Sequence, residues 1–174
     1  MKKILCVFMF LIMLGGCSTL KIKEVKKEPL EISGFNTGIK SNLNDVQISA
    51  NAEYVPYQSL NFTFNLPEAV KNMQILCNNG EYTVNMNKLS FTFTGEKLPF
   101  NMICRTLETC INTVQGVLPE TDAETDLLVF SYNAEGHICE LYTEKDTKKF
   151  VKLKVDGNDL LFFENFEYRD KQSN

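Results

Sequence analysis

The sequence predicts an α+β domain: two helices packed on an antiparallel or mixed sheet, with a C-terminal β-meander. Three observations point there. Apolar residues recur at helical spacing in two segments, Leu66-Val70-Met73-Cys77 and Phe100-Ile103-Cys104-Leu107-Ile111-Val114. From Leu127 onward the apolar period changes to two and stays there, the signature of half-buried strands. Thirteen Phe and six Tyr, with no Trp, suit a β-containing domain with an aromatic core.

Taken in order, residues 17–45 read as a modified N-terminus followed by a flexible tether. Lys21-Ile22-Lys23-Glu24-Val25-Lys26-Lys27-Glu28-Pro29 is charged and poor in core formers, and Gly34, Gly38 and a Ser/Asn cluster follow. A single globular domain then occupies residues 46–170. Leu60-Asn61-Phe62-Thr63-Phe64 alternates as a strand. Asn65 and Pro67 look like the cap and first turn of a helix, and Asn79-Gly80 looks like its stop. Glu81–Met86 and Leu89–Thr94 are two further strands. The corner Lys97-Leu98-Pro99 leads into the second helix, which Gly116 ends. The closing strands are Leu127–Tyr132, His137–Tyr142, Phe150–Val155 and Leu160–Tyr168, the last two joined by Asp156-Gly157-Asn158-Asp159, a hairpin signal.

Charge and composition narrow the function. With 18 basic and 22 acidic residues the chain has a net charge of −4, which argues against nucleic acid, since that needs a basic footprint. No catalytic constellation stands out, so the chain reads as non-enzymatic. The single histidine, His137, follows Gly136 at a strand start and lies in no motif that would make it a general base. Glu120, Asp122, Glu124 and Asp126 lack the Asp/Asn-Gly loop pattern that places oxygens around calcium, and read as a solvated acidic loop. No metal site and no cofactor is implied.

Six cysteines are present, of which Cys6 lies in the first apolar run and Cys17 at its end. The other four, Cys77, Cys104, Cys110 and Cys139, contain no C-x-x-C pair. In an exported chain an even count favours two disulfides over zinc or free thiols. Cys104 and Cys110, six residues apart on one helix, face about 120° apart and cannot join each other. Cys77–Cys104 or Cys77–Cys110 becomes possible if both helices lie on one side of the sheet, with Cys139 taking the remaining partner.

The N-terminus carries the most specific motif. Lys2 and Lys3 precede an apolar run, Ile4 to Leu14, too short for a permanent bilayer span of about 20 residues, and Gly15-Gly16-Cys17 follow. Leu14-Gly15-Gly16-Cys17 resembles the lipobox of bacterial lipoproteins. The resemblance implies that residues 1–16 are a signal peptide and that Cys17 is lipidated and becomes the first residue. It also implies a membrane partner through that lipid, and Ser18 points to the outer membrane with the domain facing the periplasm. Further on, Phe64-Asn65-Leu66-Pro67-Glu68-Ala69-Val70, Tyr82–Met86 and Leu89-Ser90-Phe91-Thr92-Phe93-Thr94-Gly95-Glu96-Lys97-Leu98-Pro99-Phe100 place two strand-and-helix units in residues 60–114. This order resembles the small secretin/TonB N-terminal (STN-type) domain. That likeness implies docking onto envelope proteins as an accessory part of a secretin, pilus or secretion apparatus. Two alternatives stand beside it. One is a ligand-binding or carrier lipoprotein with an apolar pocket lined by Phe162, Phe163 and Phe166. The other is a hydrolase with an unrecognised site.

Overall fold

A computed structural model describes residues 28–43, 45–94 and 102–169. Among the described residues there are one antiparallel sheet of eleven strands and one α-helix. The strands are β1 (Phe35–Leu43), β2 (Val46–Val55), β3 (Ser59–Leu66), β4 (Gln74–Asn78), β5 (Glu81–Met86), β6 (Leu89–Thr94), β7 (Glu120–Thr121), β8 (Leu128–Ala134), β9 (His137–Thr143), β10 (Phe150–Val155) and β11 (Asn158–Tyr168); the helix is α1 (Ile103–Val114). Their order across the sheet is β6-β5-β4-β3-β2-β1-β11-β10-β9-β8-β7. The chain thus forms two meanders joined where β1 pairs with β11.

Two helices on a sheet is therefore not the architecture. The segment after Pro67 makes only a 3-10 turn, Glu68–Val70, with no buried residue. Asn72 has a positive φ, and the chain then returns as β4. The bonds Asn72 N–H to Phe64 O (2.8 Å) and Phe64 N–H to Met73 O (2.9 Å) begin the ladder that β3 and β4 continue. The spacing Leu66-Val70-Met73-Cys77 does fit a helix. Yet Ile75 and Cys77 also alternate with exposed neighbours, and strand partners on both sides decide for the extended form. Asn79-Gly80 is not a helix stop. Both residues have positive φ (50° and 79°), as a two-residue hairpin turn between β4 and β5 requires. Glu135-Gly136 and Asp156-Gly157 repeat the device, with 53° and 86°, then 50° and 77°.

The tether is corrected too. Phe35–Leu43 is a central strand, paired with β2 over its whole length and with β11 on its other edge. Leu30, Ile32, Phe35 and Ile39 are all buried, so the folded unit begins well before Val46. The part of the tether expected over residues 18–27, the signal and Cys17 lie outside the described residues.

The sheet cannot be flat. α1 packs against β4 of one meander and against β8 and β9 of the other. Six strands separate β4 from β8 in the sheet. At about 4.8 Å per spacing, seven spacings would put them roughly 34 Å apart. A helix with side chains is only about 10–12 Å across. One helix touches both arms only because the sheet curls around it, as an open barrel with β6 and β7 at its free edges. Ile103, Cys104, Thr106, Leu107, Cys110, Ile111 and Val114 are buried, which spreads the helix's contacts over more than one face. Among the described residues no helix is long and apolar enough to cross a membrane.

The aromatic core sits at the junction of the meanders. Phe35, Phe150 and Phe166 form a ring cluster with centroids 4.8–5.4 Å apart, and Phe163 meets Phe150 edge-on at 5.4 Å. Such pairs add about 0.5–1.5 kcal/mol beyond the area they bury. The opposite face is wet: Lys40 pairs with Glu164 (2.7 Å), and Lys152 and Lys154 lie over the Tyr142 ring at 4.8 and 5.2 Å.

Candidate functional site

Register lines up side chains across the β1–β6 arm. Opposite residues of an antiparallel pair share a face, so the pairings define rows on the inner surface. The first row is Phe35, Tyr54, Leu60, Cys77, Tyr82 and Phe93. The second is Thr37, Ala52, Phe62, Ile75, Val84 and Phe91. A third runs from Ile39 through Ala50 and Phe64, and reaches Met86 and Leu89 at the far edge.

Helix α1 sits over the first row. The Tyr82 hydroxyl donates to the Glu108 carboxylate, and the Gly80 N–H reaches the same group at 3.3 Å. Burial, then this bond to an anionic partner, holds the Tyr82 hydroxyl far above its ordinary pKa. Cys104 of α1 meets Cys77 of β4, while Arg105 pairs with Glu135 at the β8–β9 turn.

The other two rows end differently. They begin in the core, with Phe62, Ile39, Ala50 and Ile75 at 2 % exposure or less, and run out to Phe91 at 57 % and Leu89 at 61 %. Val84 and Met86 are half-buried between these limits, and Leu66 is 44 % exposed. Neither row contains a charged residue. An apolar strip therefore leaves the core and opens to solvent across β5 and β6. The Ser41 hydroxyl, buried on the inner face of β1, has no hydrogen-bond partner.

The pocket expected from Phe162, Phe163 and Phe166 is not formed in that way. Phe163 and Phe166 belong to the packed aromatic core, and Phe162 is exposed on the opposite face beside Lys40 and Lys152. What Phe163 and Phe166 do border, with Phe150, is an open hollow of about 400 Å³ that Glu144, Lys149 and Glu167 make polar. The exposed strip instead comes from Leu89-Ser90-Phe91-Thr92-Phe93. Sequence alone predicts a strand there, and nothing local to the segment marks it as the open end of the inner face.

His137 lies 2.7 Å from Asp156, whose other oxygen accepts the Ile138 N–H at 3.0 Å. The carboxylate thus fastens the β10–β11 turn to the start of β9. The hydrogen bond from His137, then that from Ile138, holds Asp156 below the usual carboxylate range. A carboxyl whose pKa is lower folded than unfolded stabilises the fold above its unfolded pKa, and the contribution disappears as pH falls through the folded value. Asp156→Asn is accordingly expected to flatten the acid limb of the thermal midpoint, below about pH 4. Midpoints measured between pH 2 and 6 check this; parallel curves for the two proteins would refute it.

In the acidic loop Asp122 accepts the Glu124 N–H at 2.9 Å and Asp126 pairs with Lys145 at 2.7 Å, so these carboxylates serve separate local partners. Among the described residues no group of three or more metal-ligating side chains forms. Cys77, Cys104, Cys110 and Cys139 are all buried thiols in this structure.

Fold and site together define a class: an open, curled antiparallel sheet closed on a single helix, with an apolar inner face. No family model matches the chain, and no curated protein sequence does. Among solved structures it is similar to an uncharacterized conserved protein from Thermus thermophilus, with a TM-score of 0.51 and 10% identity over 80% of this chain and 81% of that one. At that identity the likeness is one of fold. A LolA superfamily protein from Nitrosomonas europaea superposes with a TM-score of 0.44 and 10% identity, over 82% of this chain and 89% of that one.

Proposed function

We propose that this chain is a non-enzymatic binding protein for an extended apolar ligand of the acyl-chain type, tethered to a membrane by lipid on Cys17. The observation that carries the reading is the inner strip that runs from buried Ile75 and Phe62, past half-buried Val84 and Met86, to exposed Leu89 and Phe91. Contiguous exposed apolar surface on a soluble fold marks a contact site. Its position on the inside of a curl favours a slender ligand over a flat protein surface. The lack of charge on the strip favours a hydrocarbon over a polar head group. The lipobox-like Leu14-Gly15-Gly16-Cys17 supports the anchor, with the outer membrane as its place and the domain facing the periplasm.

The secretin-type docking reading loses a support. Residues 67–77 are a turn and a strand, so the first helix of the strand-helix-strand-strand-helix order is absent among the described residues.

A fluorescent fatty-acid analogue titrated into the purified protein tests the proposal. Saturable binding is expected, weakened at least tenfold in a Leu89→Asn/Phe91→Asn variant that melts like the parent. Tenfold is about 1.4 kcal/mol, less than the about 1.5–3 kcal/mol that burying one such side chain contributes. No saturable binding, or equal affinity in the variant, would overturn it.

A further inference from the structure

Cys104 and Cys110 lie six residues apart on α1, about 120° around its axis and about 9 Å along it. On a flat sheet only one of them would find a partner. The curl supplies one on each arm. Cys104 lies one helical turn before Glu108, whose carboxylate takes the hydroxyl of Tyr82, the residue paired with Cys77 of β4, and so faces Cys77. Cys110 and Cys139 of β9 lie beside Tyr132, which is directly opposite Cys139 in the β8–β9 ladder. The Tyr132 hydroxyl is buried and has no hydrogen-bond partner. All four sulfur-bearing residues are at most 1 % exposed, and α1 packs on the strands that carry the other two.

We propose that in the exported chain these four thiols are two disulfides, Cys77–Cys104 and Cys110–Cys139, which fix α1 covalently to both arms of the curled sheet. The spans 77–104 and 110–139 do not overlap, so each bridge secures one side of the helix. For each bridge two S–H bonds break and one S–S bond forms. The two protons and two electrons pass to the disulfide of a thiol–disulfide exchange catalyst, which is reduced to two thiols.

The attacking species is a thiolate; the hydrogen bond with Cys77 favours it on Cys104, whereas burial disfavours it on Cys110. Burial pushes Cys110 up to about 12. The hydrogen bond to Cys104, then burial, raises Cys77. The inference needs export, which the Lys2-to-Cys17 segment implies, and is independent of which ligand the strip takes.

The test is a peptide map of the full-length protein recovered from membranes, denatured and alkylated without reductant. Expected are two linked peptide pairs, 77 with 104 and 110 with 139, and no alkylation of these cysteines until reductant is added. Alkylation of all four without reductant, or a Cys77–Cys139 or Cys77–Cys110 linkage, would overturn the proposal. A second measurement reads the mechanical claim. Amide exchange across Ile103–Leu107 is expected to accelerate at least tenfold in Cys77→Ala/Cys104→Ala, and an unchanged rate would show that the bridge does not hold the helix.

Discussion

A chain shortened to begin at Val46 is expected not to fold. β1 is the strand that joins the two meanders: it pairs with β2 along one edge and β11 along the other. Its loss leaves β2–β6 and β7–β11 without a shared ladder. It also removes Phe35 and Ile39 from the core, together with the ring contacts of Phe35 to Tyr54, Phe150 and Phe166 at 4.9–5.4 Å. The single substitution Phe35→Ala alone should cost about 3–5 kcal/mol, the usual range for a fully buried phenylalanine. Domains of this size are stable by only about 5–15 kcal/mol, so removal of the whole strand exceeds what the fold can bear. Urea denaturation followed by circular dichroism checks both variants. A cooperative transition at the parental midpoint in the chain starting at Val46 would restore the tether reading.

That reading failed for a physical reason visible in the residues. β1 alternates correctly, with Phe35, Thr37, Ile39 and Ser41 facing inward. Two of those positions are hydroxyl residues and Gly38 interrupts the run, so the pattern resembles loop composition. Thr37 is accommodated by donating to backbone carbonyls of Gly38 and Glu164 (3.0 and 3.1 Å), the second available only in the folded sheet. The second helix, by contrast, was legible because its apolar spacing has no competing strand pattern. So was the C-terminal meander, where Glu135-Gly136 and Asp156-Gly157 mark two turns. Asn79-Gly80 is the instructive case. The same dipeptide class signals a hairpin or follows a helix, and only the alternation of Ile75 and Cys77 distinguishes them.

The candidate site was less legible, because it depends on strand order. Leu89 and Phe91 alternate as any half-buried strand does. That they lie at a free edge follows from β6 ending the sheet, which no local pattern encodes. The cysteines divide in the same way. The 120° between Cys104 and Cys110 is a property of helical spacing, whereas the presence of Cys77 and Cys139 on opposing arms is a property of the curl.

Leu107→Ala is expected to have the second large effect, because its side chain is fully buried on the helix that both arms share. Large-to-small replacement of a buried leucine costs about 2–5 kcal/mol, and the upper part of that range applies where the surroundings cannot collapse into the void. Here collapse would need the two arms to close further, which the packed helix between them resists. The thermal midpoint should therefore fall by roughly 2–4 °C for each kcal/mol lost. Thr113, on the same helix but exposed, provides the control: Thr113→Ala should leave the midpoint nearly unchanged. Equal midpoints for the two variants would mean that α1 is peripheral, and that the curl is maintained by the sheet's own ladder. A drop confined to Leu107→Ala would identify the helix as part of the core on which both arms pack.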